Sequence, residues 1–191
     1  MNEIRVVPAT PDRWDDVVTV LGGGGDKGCW CQAPRGLDAG HREKPPVLRR
    51  ILLRSQLADD PPAGLLAYLD GTVAGWVGFG LRPRLPRLQR SRTIPRIDDA
   101  PVWSVLCFNV RVGFRRQGVA AALLDGVIDL ARRSGAPGVE AYPVDPGDRR
   151  VSTTFGYVGV TPMFERVGFE RVLETSAHSD GRPRILMRLM F

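Results

Sequence analysis

The stretch Val110 to Ala121, V-R-V-G-F-R-R-Q-G-V-A-A, joins two runs of opposite character and decides how the chain is built. Before it, Trp103 to Val112 (W-S-V-L-C-F-N-V-R-V) runs nearly without charge, the pattern of a central strand buried on both faces. After it, Ala120, Leu123, Leu124, Val127 and Leu130 recur at helical spacing, with Asp125, Asp129 and Arg133 on the opposite side. This predicts a helix that ends near Ser134-Gly135. A helix that starts at a glycine turn leaves several backbone N–H groups unpaired and points the positive end of its dipole outward, so it can hold a phosphate without a dedicated side chain. Gly118 lets the backbone come close, Ala120 and Ala121 leave room, and Arg115 and Arg116 add positive charge at the same edge. The chain has no G-x-x-x-x-G-K-[S/T] run, nor the second and third glycines of a dinucleotide-binding turn, so those two phosphate sites drop out.

Working outward from this unit, Ile4 to Val7 reads as a first strand and Thr10-Pro11-Asp12 as a helix start, with Thr10 as cap and the helix running to Leu21. Gly22 to Gly25 stop it, and the stretch to Pro46 reads as a long irregular loop. From Val47 to Leu57 an amphipathic helix is expected, with Leu48, Ile51 and Leu52 inward and Arg49, Arg50 and Arg54 on the other side. Leu65 to Leu69 and Val73 to Leu81 flank Asp70-Gly71, the dipeptide of a type I′ hairpin. The prolines and arginines between Arg82 and Asp99 predict a basic, irregular loop. Val139 to Tyr142 reads as a short strand, Pro143 to Val158 as irregular, Pro162 to Val167 as a short helix stopped by Gly168, and Phe169 to Thr175 and Ile185 to Met190 as closing strands.

A chain of 191 residues, 43% hydrophobic and 25% charged, suits one mixed α/β domain spanning residues 1–191. Its longest apolar runs fall short of a membrane span, and the N-terminus lacks the apolar core of a secretory signal. Three cysteines, Cys29, Cys31 and Cys107, do not make a disulfide framework; with these features they point to free thiols and the cytoplasm. The net charge of +6 favours anionic partners, among them nucleic acid, acidic substrates or a polyphosphate cofactor.

The strand and turn from Val110 to Ala120 closely resemble the acetyl-CoA signature of the GNAT superfamily of N-acetyltransferases, a hydrophobic strand followed by [Q/R]-x-x-G-x-[G/A] and a helix. Arg115, Gly118 and Ala120 fill its three defined positions. Met163 to Glu170, M-F-E-R-V-G-F-E, resembles the family's Y-E-x-x-G-F turn. The resemblance implies a mostly antiparallel, splayed central sheet flanked by helices, and direct transfer of an acetyl group from acetyl-CoA to an amine acceptor. The cofactor would be held by Phe108, Asn109 and Val110 on the splayed strand and by Arg115, Arg116, Gln117, Gly118, Val119, Ala120 and Ala121 at the turn. The family's usual proton donor to the departing thiolate is a tyrosine where this chain has Phe164. Tyr157 and Tyr142 are the candidate replacements, beside water, since a thiol of reference pKa about 8.5 is an easy leaving group to protonate. Asp145, Glu140 or a water chain are the candidates for the base. A non-catalytic acyl-CoA sensor is the rival reading, and a homodimer is left open.

Cys29-Trp30-Cys31 looks like half a metal site, but zinc wants about four ligands and only Cys107, His41 and His178 remain to complete it, so no metal is expected. The same loop is expected to carry Trp30 over the acceptor pocket. The arginines 82, 84, 87, 90, 92 and 96 come without interleaved aromatics or a nucleic-acid motif, so a solvated face is expected rather than a nucleic-acid site.

Overall fold

The computed structural model describes residues 3–22, 28, 30–35, 46–147 and 156–191. Its strands are β1 (Ile4–Pro8), β2 (Gly64–Leu69), β3 (Thr72–Leu81), β4 (Trp103–Val110), β5 (Gly138–Ala141), β6 (Glu170–Ser179) and β7 (Arg182–Met190). Its helices are α1 (Trp14–Leu21), α2 (Pro46–Gln56), α3 (Pro86–Gln89), α4 (Val119–Arg133) and α5 (Thr161–Glu165). The strands form one sheet in the order β1-β2-β3-β4-β5-β7-β6, antiparallel throughout except where β4 meets β5.

The turns follow from local chemistry. Asp70 and Gly71 both take positive φ (47° and 78°), which is the type I′ geometry expected between β2 and β3. Asp180 and Gly181 do the same at 58° and 69°, so β6 and β7 reach further than their apolar cores predict. Helix α4 lies across the sheet on Leu123, Leu124 and Val127, all fully buried, against Leu65, Val77 and Val105. Gly126 permits the approach, because a Cβ there would stand 2.7 Å from Val6 Cγ1. On the other face, Trp14, Val17 and Val20 of α1, Leu53 of α2 and Leu57 just after it cover Leu66 and Trp76. Each such leucine contributes roughly 1.5–3 kcal/mol through burial.

Three expectations need correcting. The helix expected from Pro11 begins as a 3-10 turn, Pro11–Arg13, and Thr10 makes no side-chain cap bond to the helix; its hydroxyl accepts from Arg13 instead, at 2.5 Å. The face of α2 is shifted: Arg50 and Arg54 are exposed as expected, but three other positions are not where the spacing puts them. Leu48 and Ile51 are exposed, Ile51 by 58%, while Arg49 is buried beside the Leu53 and Leu57 stripe. Arg50 and Arg54 lie over the Trp14 ring, at 5.7 and 5.6 Å, so their long stems and cationic heads replace the apolar contacts expected there. The loop after β3 is not wholly irregular: it holds a 3-10 turn at Arg82–Arg84 and the short α3, and Arg82 is buried rather than solvated.

Candidate functional site

Strand β4 is shared unequally between its neighbours. It pairs with β3 over its whole length, from Leu81↔Trp103 to Gly75↔Val110. With β5 it pairs only at Trp103↔Val139 and Ser104↔Glu140. Gly78 faces Cys107 and Phe79 faces Val105, so Leu106 is an extra residue that bulges β4 where the two strands part. From Val105 to Val110 the edge turned away from β3 therefore has no strand partner among the described residues, and apart from the Val110 carbonyl, which Arg115 takes, its outward backbone N–H and C=O groups are open to a ligand. Phe108, Asn109 and Val110 lie on this edge. Phe108 turns its ring inward against Phe164 at 6.2 Å, which props the strand from behind.

The free edge leads into the glycine turn that precedes α4. Gly118 is the N-cap of α4 with φ +84°, the left-handed region, and Arg116 before it also has φ +60°. A Cβ at Gly118 would meet only Ile4 Cδ1 at 3.5 Å, so glycine is required there by backbone conformation, not by crowding. The helix makes its first bond from Ala122 N–H to the Gly118 carbonyl. The N–H groups of Val119, Ala120 and Ala121 thus have no helical acceptor and form the positive end of the dipole. Gln117 donates to the Gly113 carbonyl at 2.9 Å and Arg115 Nε to the Val110 carbonyl at 3.1 Å, two bonds that fix the turn and leave the Arg115 and Arg116 side chains exposed beside it. Unpaired N–H groups at a helix start with two exposed arginines beside them suit an anionic group such as a phosphate.

At the other end of the split is a cleft of about 280 Å³. Leu106, Tyr142, Tyr157, Val158 and Arg184 line it, with Leu88, Ser91 and Ile94 from the loop after β3 and Ala33 and Pro34 from the loop after α1. Tyr142 is 3% exposed. Its hydroxyl donates to Glu140 Oε1 at 2.5 Å, meets Ser104 Oγ at 3.0 Å and accepts from Arg82. Burial, followed by the Glu140 charge, holds its proton far more tightly than an ordinary phenol does. Tyr142 thus gives the cleft its ring and the protein interior its hydroxyl. Tyr157 is 46% exposed and faces the cleft opening.

The carboxylates stand apart from the cleft. Glu140 is fully buried and shared between Arg82 Nη1 and Arg188 Nε, both at 2.6 Å, and Arg188 continues to Asp98. Asp145 accepts from Arg171 Nη1 at 2.5 Å, and this bond holds its carboxyl below the ordinary aspartate value. No Asp, Glu or His is among the described residues that line the cleft.

Trp30 does not cover the cleft. It is buried, stacked on Trp14 with ring centroids 6.0 Å apart, and takes φ +49°. The cleft is reached instead by Ala33 and Pro34 of the same loop. Cys31 Sγ comes to 3.1 Å from Cys107 Sγ on β4. Cys29 and His41 lie outside the described residues, and no group of His, Cys, Asp or Glu among the described residues is arranged to hold a metal ion. No helix among them is long and apolar enough to cross a membrane. Sequence reading missed Arg184, Ser91 and Ile94, which reach the cleft through pairings distant in sequence and carry no local pattern.

A splayed mixed sheet, an open strand edge and an αL glycine at the following helix define an acyl-CoA-dependent transferase fold. The sequence matches the model of the acetyltransferase (GNAT) family over residues 31–169, and the chain belongs to that family. A search of curated protein sequences found no match. Among solved structures, the chain is similar to a GNAT-family acetyltransferase from Streptococcus pneumoniae, with TM-score 0.59, 18% identity, and 98% of this chain and 99% of that one covered. It is also similar to a GCN5-related N-acetyltransferase from Kribbella flavida, with TM-score 0.57, 17% identity and 98% of each chain covered. A third is the PaiA N-acetyltransferase from Thermoplasma acidophilum in complex with coenzyme A, with TM-score 0.54, 14% identity and 99% of each chain covered. At these identities the likeness is one of fold.

Proposed function

We propose that the protein transfers an acetyl group directly from acetyl-CoA to the neutral amine of an acceptor seated in the cleft, in the cytoplasm, where both described thiols stay reduced. The observation that carries this reading is the break in β4–β5 pairing after Ser104, which opens a polar strand edge between the α4 turn and the cleft. Bound acetyl-CoA supplies the acyl group already activated as a thioester. The N–H groups at the start of α4, with Arg115 and Arg116, hold its pyrophosphate. The open edge from Phe108 to Val110 orients the arm and offers N–H donors to the oxygen that gains charge as the amine attacks.

Tyr157 is assigned as the proton donor to the leaving thiolate. Phe164 carries no proton and is fully buried between Phe108 and Phe169, and the Tyr142 hydroxyl is committed to Glu140. With no carboxylate or histidine among the described residues of the cleft wall, solvent water takes the amine's proton. Asp145, already committed to Arg171, is left with a structural role.

A non-catalytic acyl-CoA sensor is the second reading, and the buried Phe164 is what favours it. Calorimetry with acetyl-CoA and steady-state CoA release over a broad amine panel separate the two. Turnover of any amine above the rate of thioester hydrolysis supports transfer. Tight binding without turnover on the whole panel supports the sensor.

A further inference from the structure

The arginines around the cleft differ in one respect. Arg82 and Arg188 share Glu140, Arg188 adds Asp98, and Arg171 takes Asp145 and Glu165. Arg184, near the start of β7, has no such partner. Its Nε donates to the Tyr142 carbonyl at 2.8 Å, and its guanidinium carbon stands 6.0 Å from the Tyr142 ring centroid. No carboxylate among the described residues is within ion-pair distance of it, and its two terminal nitrogens donate to none of their atoms. The side chain is half-buried on the cleft wall, and loss of water lowers its proton affinity. A desolvated guanidinium without a counter-ion is costly unless something else supplies the anion.

The rest of the wall points the same way. Arg87 reaches the cleft from the loop after β3, where its Nη1 donates to the Ala33 carbonyl at 3.1 Å. Ser91 and Thr93 bring hydroxyls, and Leu88, Ile94, Leu106 and Val158 keep the surface between them apolar. With Arg184 on its wall and no acidic residue among the described residues that line it, the cleft repels a polycation and attracts an oxyanion. Leu106, at the start of the open β4 edge, lines the same small cleft as Arg184. A ligand anchored on Arg184 by an anionic group therefore extends toward the place where the acyl group is expected.

We propose that the acceptor is a small amine that also carries a carboxylate, and that Arg184 binds this carboxylate through its two terminal nitrogens, which donate to no atom of the described residues. The fork of a guanidinium matches the two oxygens of a carboxylate, a bidentate fit that an ammonium group does not reproduce. This rests on the cleft being the acceptor site of the transfer reading above.

The test compares amino acids with their amides, with polyamines and with aminoalkyl phosphates, in the wild type and in Arg184→Lys and Arg184→Met. The expected result is a kcat/KM for free amino acids about ten-fold or more above that of their amides. Arg184→Met should erase the difference by raising KM with kcat nearly unchanged, and Arg184→Lys should keep part of it. Amides or polyamines turned over as well as the acids, or a preference that survives Arg184→Met, overturns the proposal. Preference for aminoalkyl phosphates over amino acids overturns the carboxylate assignment and keeps the oxyanion site. Binding supplies the second readout: with CoA present, N-acetylglycine should raise the melting temperature of the wild type and of Arg184→Lys more than that of Arg184→Met. If no amine is turned over yet N-acetylglycine still discriminates, the transfer reading fails and the anion site stands. No discrimination in a folded Arg184→Met protein overturns the site itself.

Discussion

Ser104 and Glu140 face each other as the last pair that joins β4 to β5, and the two strands separate beyond them. The pair is held by a buried polar knot. Ser104 Oγ meets the Tyr142 hydroxyl, which donates to Glu140, while Arg82 and Arg188 grip the two Glu140 oxygens. The opening is thus anchored at its closed end by paired buried charges, although Nε and Nη2 of Arg82 have no hydrogen-bond partner among the described residues. Glu140→Gln keeps the shape and removes the charge, leaving Arg82 buried without its counter-ion. The expected loss is about 3–5 kcal/mol of folding stability, read from urea denaturation.

Gly118 tests the phosphate site separately. Its φ of +84° costs a non-glycine residue about 1–2 kcal/mol, and the space around its Cβ is nearly open. Gly118→Ala should therefore fold with a modestly lower melting temperature. Gly118→Glu should fold similarly but place a carboxylate at the positive end of α4, and acetyl-CoA affinity should fall more than about ten-fold. Calorimetric affinity unchanged in a folded Gly118→Glu protein would remove the turn from the cofactor site.

The β4–turn–α4 unit was legible because strand, glycine turn and amphipathic helix are contiguous, so local pattern and tertiary role coincide. The hairpin at Asp70-Gly71 was legible for the same reason. The α2 face was legible only in part, since a periodicity count scores Arg49 as outward and Leu48 and Ile51 as inward, the opposite of their burial. Only the fold sets Trp14 beneath Arg50 and Arg54, which stay exposed while their guanidinium groups lie over its ring. The cleft was least legible of all. Leu106 and Arg184 lie on strands that meet only through β5, and a lone arginine becomes informative once its lack of an acidic partner is seen in space.

Asp145 gives a pH-dependent outcome. Arg171 lowers its folded pKa below the ordinary 3.8, so the pair contributes stability fully above the unfolded value, and this contribution disappears as pH falls through the folded value. Because both side chains are partly exposed, the contribution is about 1 kcal/mol or less. Asp145→Asn should be less stable than wild type by that amount at neutral pH, with the gap closing below about pH 4. Transfer activity should stay within about two-fold of wild type. A loss of about a hundred-fold or more would restore Asp145 as the base.

Cys31 and Cys107 lie in sulfur contact, and the hydrogen bond between their sulfurs lowers the Cys31 pKa below the ordinary thiol value against the cost of burial. Thiolate ultraviolet absorbance should therefore appear at lower pH than for an ordinary cysteine and be lost in Cys31→Ser. Diamide, which accepts two electrons and two protons as the dithiol becomes a disulfide, should join the two residues. Peptide mapping should recover the cross-link with a mass lower by two hydrogens.

Tyr157 decides the chemistry at the leaving group. Its ring lies at the cleft mouth, while Phe164 is sealed at 0% exposure between Phe108 and Phe169 and Tyr142 holds its proton for Glu140. If the phenol protonates the departing thiolate, Tyr157→Phe removes the proton and leaves the ring, so kcat should drop by about a hundred-fold with KM and acetyl-CoA affinity little changed. Phe164→Tyr should not rescue it. The new hydroxyl would enter a closed aromatic cluster, costing about 1–3 kcal/mol of stability without reaching the cleft. Rescue of Tyr157→Phe by Phe164→Tyr would mean that the open β4 edge extends to Phe164 once the cofactor is bound. A Tyr157→Phe enzyme as fast as wild type would leave protonation of the thiolate to water.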